Sequence, residues 1–232
     1  FFADAIKASG RVVLGQPILL QAKANDEDRP TTSFVVVGKD GADPNLFLRQ
    51  FPGILRNIPV LDDAAAGHGV FAYSASFDGI VRNVPMIVMW GTTRYPALVL
   101  DTLRVSLGAR SIAIKSAPDG IEGILLKQRG SKEYYNVETD RQSDVKVYYT
   151  PHSDYDANYI PITDIINNRI DPARIAGKIV LIGTSAQGLL DIRSTPLDAV
   201  LPGVEVHANI LENILFHESL KRPPQAEGLE GI

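Results

Sequence analysis

The stretch from Gly177 to Phe216, GKIVLIGTSAQGLLDIRSTPLDAVLPGVEVHANILENILF, limits what this chain can fold into more than any other. Its apolar run Ile179–Ile182 stops at Gly183-Thr184-Ser185, and a polar connection carrying Asp191, Arg193 and Thr195 follows. Pro202-Gly203 then opens a strongly patterned helix, Val204–Phe216. A buried strand, a loop rich in hydrogen-bonding groups and a covering helix make half of an α/β unit. The predicted fold class is therefore α/β, a mixed sheet flanked by helices.

The rest of the chain supplies the other elements in order. Phe2, Ala5 and Ile6 have helical spacing, with Gly10 as the stop. Val12–Leu14 and Phe34–Val37 read as strands separated by a polar loop, whereas Leu46–Leu61 shows no clear period. Two β-favouring runs, Val70–Phe77 and Ile80–Met89, flank the hairpin signal Asp78-Gly79. Pro85 argues for an edge or a bulge in the second run. Pro96 is expected to start a largely buried helix that Gly108 closes. Ile112–Ile114, Ile124–Leu126 and Val145–Tyr149 are strand candidates, with a polar hairpin or loop over 128–143. Thr163 can cap a short helix, and Asp171-Pro172 can cap and start another.

Composition narrows the functions. At 232 residues the chain suits one generous domain, expected over 1–222 with a tail at 223–232; two small domains are also possible. Against 27 acidic residues stand 23 basic ones, and a net charge of −4 gives no large field for nucleic acid or an anionic membrane. Without Cys there is neither a disulfide framework nor a thiolate metal site. No run reaches the roughly 20 apolar residues of a membrane span, and Phe1-Phe2-Ala3-Asp4 is not a leader. The chain starts without Met inside a predicted helix. It is expected to be part of a longer protein, with any export signal or anchor elsewhere.

The site candidates carry structural alternatives. Asp191 and Arg193 follow a strand C-terminus, where open α/β sheets bind ligands; they either bind a polar ligand or pair to fix the loop. Asp78 is accounted for by turn geometry, and Arg82 is free to bridge a carboxylate. At about 100° per residue, Glu205, Asn209, Glu212 and Asn213 share a polar face that is expected to be solvated. Val204, Ala208, Leu211 and Leu215 lie opposite, and His207 falls within the apolar arc. His207 is read as a hydrogen-bonded core residue, with a ligand or proton-transfer role as the alternative. Pro202 and Gly203 are read as structural.

Thr184 and Ser185 invite an enzymatic reading, a hydrolase or transferase using Thr184, Ser185 and Asp191. The loop lacks the Lys-Ser/Thr of a phosphate loop and the glycine spacing of a dinucleotide site. It also lacks the Gly two residues after Ser that a nucleophile elbow requires. A Ser185–His207–Asp191 triad would need His207 to leave its arc. His68, His152 and His217 have no ligand spacing, so neither metal nor cofactor is expected.

Several separated motifs carry a family resemblance. The Gly177–Leu215 stretch resembles the C-terminal signature of the second-type CHASE domain, an extracellular sensory domain associated with cyclases and histidine kinases. Phe77-Asp78-Gly79-Ile80-Val81-Arg82, Val84-Pro85, Pro96 with its helix, Phe2-Ala3-Asp4-Ala5-Ile6 and Gly10-Arg11-Val12-Val13-Leu14-Gly15 support it in order. The family usually begins with a strand–helix–strand unit that this sequence lacks; if those strands are central, an apolar edge would be exposed. The resemblance implies a periplasmic input domain of a bacterial membrane receptor, anchored by segments outside this sequence. It also implies a cytoplasmic cyclase or kinase output and a homodimer through the full receptor. The ligand, a small molecule or a periplasmic partner, stays undefined. A structural dimerisation module that binds nothing small is the remaining alternative.

Overall fold

The computed structural model describes residues 1–21, 32–75, 77–153, 158–184 and 191–220. Helix α1 (Phe2–Ser9) ends where predicted, at Gly10, whose left-handed backbone turns its N–H back to the Ile6 carbonyl. Strands β1 (Val13–Leu19) and β2 (Ser33–Gly38) follow. The stretch without a legible period breaks into short pieces: a 3-10 turn (Pro44–Leu46), β3 (Arg49–Gln50), β4 (Gly53–Ile54) and α2 (Pro59–Asp62). Pieces of two to four residues are too short to show a period.

Next come β5 (Gly67–Phe71), β6 (Ser74–Ala75), β7 (Val81–Pro85), β8 (Ile87–Trp90), β9 (Thr93–Pro96) and α3 (Leu98–Ser106). The Asp78-Gly79 turn joins β6 and β7 in a short antiparallel hairpin. Pro96 does not start the helix: it ends β9, paired with Ile87, and Ala97 is the N-cap. The chain continues through β10 (Ser111–Ala117), β11 (Gly120–Lys127), β12 (Tyr134–Val137) and β13 (Asp144–Lys146). The polar excursion thus supplies a strand, β12, and the strand expected over Val145–Tyr149 shrinks to β13. Because β7 lies between β6 and β13, Pro85 is not on an edge strand, but the β6–β7 pairing shifts register between Asn83 and Val81, a bulge in this run. Pro85 is the last residue of β7, where the ladder ends.

Helix α4 (Ile162–Ile166) is capped by Pro161, with Thr163 inside it, whereas Asp171 caps a 3-10 turn (Pro172–Arg174) by accepting the Ala173 N–H. A two-stranded hairpin, β14 (Ile192–Arg193) and β15 (Leu201–Pro202), runs directly into α5 (Gly203–Phe216). The fold is α/β, with parallel pairing of β1 with β5, of β2 with β10 and of β3 with β8 beside antiparallel pairs in the same sheets. The four-stranded sheet has the order β12-β11-β10-β2.

One large apolar cluster holds these layers together. It joins Leu100 and Leu103 of α3, Ile112 and Ile114 of β10, Ile124 and Leu126 of β11, and Val206, Ile210 and Ile214 of α5. Each such buried side chain contributes about 1.5–3 kcal/mol. Helix α3 can lie directly on β5 because Gly69 has no side chain; a Cβ there would overlap the backbone of Leu98. Its buried face is not wholly apolar. Asp101 is fully buried and bonded to Arg104 Nε (2.5 Å), Thr32 Oγ1 (3.0 Å) and the His68 N–H (2.9 Å).

The strand expected at Ile179–Ile182 is absent. Ile179–Ile182 belongs to no sheet, and Val180 and Ile182 are exposed, although Leu181 packs on the main cluster. Among the described residues no strand pairs with it.

Candidate functional site

The β14–β15 hairpin delivers Asp191 and Arg193 to the start of α5. The Asp191 carbonyl accepts the Gly203 N–H at 2.9 Å, and its carboxylate lies against Gly203, where any Cβ would overlap it. A carboxylate at this end of a helix is favoured by the helix dipole. Arg193 Nη2 pairs with Asp191 Oδ1 at 3.1 Å, its Nη1 donates to the Ile192 carbonyl, and its guanidinium lies 4.8 Å over the Tyr73 ring. Both side chains of the pair are about one-third exposed. The hairpin is tied to the other turn by an N–H from Val81 to the Ser194 carbonyl at 2.9 Å. There Arg82 grips Asp78 through two 2.9 Å bonds, and Asp78 also accepts the Ile80 N–H. The Arg82 bond is the main cause that holds the Asp78 carboxyl below its ordinary range.

Beneath this pair sits His207, 6% exposed. Its Nε2 is 3.1 Å from the Tyr73 hydroxyl, which also reaches the Gly203 carbonyl at 3.4 Å. Burial, aided by the Arg193 charge, pushes His207 down to about 4, so it is neutral near pH 7. Burial and the nearby Asp191 raise Tyr73, and burial raises Tyr149. Thr184 is exposed, and Ser185 lies outside the described residues.

The polar face of α5 departs most from expectation. Glu205, Asn209 and Asn213 are buried, at 3%, 0% and 3% exposure, while Val204 and Ala208 are half-buried and Leu215 is exposed. The helix is rotated because its amides bond the chain after β13. Tyr148 N–H donates to Asn213 Oδ1 (2.7 Å), and Asn213 Nδ2 donates back to the Tyr148 carbonyl (3.0 Å). Thr150 N–H donates to Asn209 Oδ1 (2.8 Å). One step further, His152 Nδ1 is 2.6 Å from Glu205 Oε1, which also accepts the Tyr159 hydroxyl.

The spacing explains the match. Four helical residues rise about 6 Å, and two strand residues about 6.6 Å. Helix positions 213, 209 and 205 can therefore meet 148, 150 and 152 in turn. Carboxamides here serve as a substitute strand edge for backbone groups in a partly buried place. Tyr73, Tyr148, Tyr149, His152 and Tyr159 were not legible as site residues. Only the i, i+4, i+8 run Glu205, Asn209, Asn213 signals their partners, and helix polarity alone reads that run as solvated.

No group of three or more His, Asp or Glu side chains among the described residues could hold a metal ion. No helix of the described residues is long and apolar enough to cross a membrane. The mixed sheets and the clasped helix α5 define an α/β module whose identified polar side chains mostly fasten one element to another. Residues 1–230 match the CHASE2 domain, and the chain belongs to that family of extracellular sensory domains. No curated protein and no solved structure matches it.

Proposed function

We propose that the chain is the extracytoplasmic input module of a bacterial transmembrane receptor and has no catalytic activity of its own. It passes the binding of a small ligand or periplasmic partner to a cytoplasmic nucleotide cyclase or kinase. Helix α5 is the moving part. The observation that carries this reading is the clasp between Asn209, Asn213 and the 148–150 backbone. It adds a few discrete polar bonds to the apolar packing of α5, the last described helix, and these can be exchanged as a set.

A ligand shifts such an equilibrium only by its differential affinity for the two arrangements. Asp191 and Arg193 at the α5 N-terminus, with Thr184 seven residues before Asp191, are the proposed sensing residues, and Glu205 and Asn209 transmit. The Asp78–Arg82 pair holds the neighbouring turn. Pro202, Gly203 and His207 set the helix entry.

A thermal-shift screen of metabolites and periplasmic extracts tests this. A true input raises the melting temperature by a few kcal/mol equivalent at saturation, and it alters amide exchange in α5. A melting temperature that responds to protein concentration alone, with no compound acting, would favour the dimerisation-only alternative.

A further inference from the structure

The clasp on α5 has a third rung, which differs chemically from the other two. Asn213 meets Tyr148 and Asn209 meets Thr150 through uncharged carboxamides, whereas Glu205 meets His152, with 2.6 Å between Oε1 and Nδ1. Glu205 is 3% exposed, and its Oε2 is buried with no hydrogen-bond partner among the described residues. Oε1 also accepts the Tyr159 hydroxyl, which donates a hydrogen bond but carries no positive charge. The His152 side chain, by contrast, is 42% exposed and within reach of solvent protons. A buried charge has to be paired, and an imidazole is the one side chain whose ordinary titration falls near neutral pH. The charge balance of this rung is therefore set by pH.

We propose that His152 and Glu205 form a proton-controlled latch: protonating the imidazole fastens the third rung of the α5 clasp, and deprotonating it loosens that rung. The ring gains a carboxylate on folding, so the folded state binds the proton more tightly than the unfolded one. The latch is fully fastened below the ordinary imidazole value of about 6.5 and weakens as pH rises through the titration of the folded ring. Two further bonds carry the change beyond the pair. The His152 N–H lies 3.4 Å from Asp198 Oδ2, in the turn that joins β14 to β15, and Asn209 Nδ2 donates to the Glu205 carbonyl at 2.8 Å. His152 thus touches both the hairpin that carries Asp191 and Arg193 and the helix which that hairpin enters. The charged and titratable groups identified around it are Glu205, Asp198 and Tyr159; Tyr149 joins the main core, and Arg193 and His207 meet at Tyr73. Asp154 and Asp156, which follow in sequence, lie outside the described residues. The consequence for signalling rests on the reading of α5 as the moving part, whereas the latch itself is a property of this chain.

An NMR titration of the chain between about pH 5 and 9 tests the latch, following the His152 ring together with the Tyr148, Thr150 and His152 amides. The three amides should move with the midpoint of the ring, and the urea midpoint of the wild type should fall between about pH 6 and 8. His152→Gln and Glu205→Gln keep a neutral polar contact, and in each that fall should be lost. If either variant fails to fold, the wild-type titration decides alone. A ring that titrates without moving the Tyr148 and Thr150 amides, a ring that stays in one protonation state throughout, or a fall that persists in both variants would overturn the latch. The output of the full-length receptor, compared across the same range, separates the latch from its consequence. Flat output over a latch that titrates would leave the latch standing and remove α5 as the carrier of the signal.

Discussion

The side chain of Asn213 exchanges two hydrogen bonds with the backbone of Tyr148, 65 residues earlier, as one strand residue does with another. Asn213→Ala removes both partners and leaves a backbone N–H and C=O with no acceptor or donor in a partly buried place. Each orphaned group costs about 1–3 kcal/mol, so the variant should lose roughly 2–4 kcal/mol in urea unfolding. Arg110→Ala, at an exposed position, should change stability by less than about 0.5 kcal/mol. Equal effects would mean that the clasp contributes nothing.

Gly203 and Asp191 share one space. A methyl group at 203 must expel the Asp191 carboxylate and break its pair with Arg193. Gly203→Ala should destabilise by about 1–3 kcal/mol, the usual range for overpacking. Asp191→Ala makes room, so a double-mutant cycle should give favourable coupling between the two changes. Strict additivity would place the carboxylate elsewhere.

His207 makes stability depend on pH in a defined direction. The unfolded imidazole takes a proton near its ordinary 6.5, whereas the buried one resists until about 4. The unfolded state therefore binds more protons between these values, and stability falls as pH drops from 6.5 to 4, then levels. The loss from this group is on the order of 3 kcal/mol. Burial also lowers His68, which adds to the same trend. In His207→Phe the slope should be smaller, though not absent, in denaturation curves recorded across this range. An unchanged slope would show that His207 titrates normally.

Asp101 is the buried charge in an otherwise apolar helix face. Asp101→Ala strands Arg104, the Thr32 hydroxyl and the His68 N–H together. Breaking a buried pair in this way costs about 3–5 kcal/mol, which calorimetry would register as a large fall in melting temperature. A loss under about 1 kcal/mol would indicate that water replaces the carboxylate.

The legible parts of the sequence were those fixed by local rules. Gly10 ends α1, Asp78-Gly79 turns β6 into β7, Asp171 caps its short turn, and the apolar residues Val206, Ile210 and Ile214 of α5 face the core. Long-range polar partners were not legible. Nothing in the sequence marks Asp101 as buried, because Thr32 and the His68 backbone lie 69 and 33 residues away. Asn209 and Asn213 looked solvated because a helix wheel cannot show that a strand-like segment 59 and 65 residues away offers backbone groups at matching intervals. Ile179–Ile182 looked like a buried strand because its composition is that of one. Burial needs a neighbour, and composition cannot supply it.

On the proposed mechanism α5 carries the signal and the clasp sets its position. The most direct test is the cytoplasmic output of the full-length receptor in membranes, wild type against an Asn209→Ala/Asn213→Ala pair. Amide exchange would confirm that the bonds to Tyr148 and Thr150 are gone. The pair should show a changed basal output and a blunted response to input, with Arg110→Ala behaving as wild type. An output and a response identical to wild type, with the clasp shown to be broken, would contradict it.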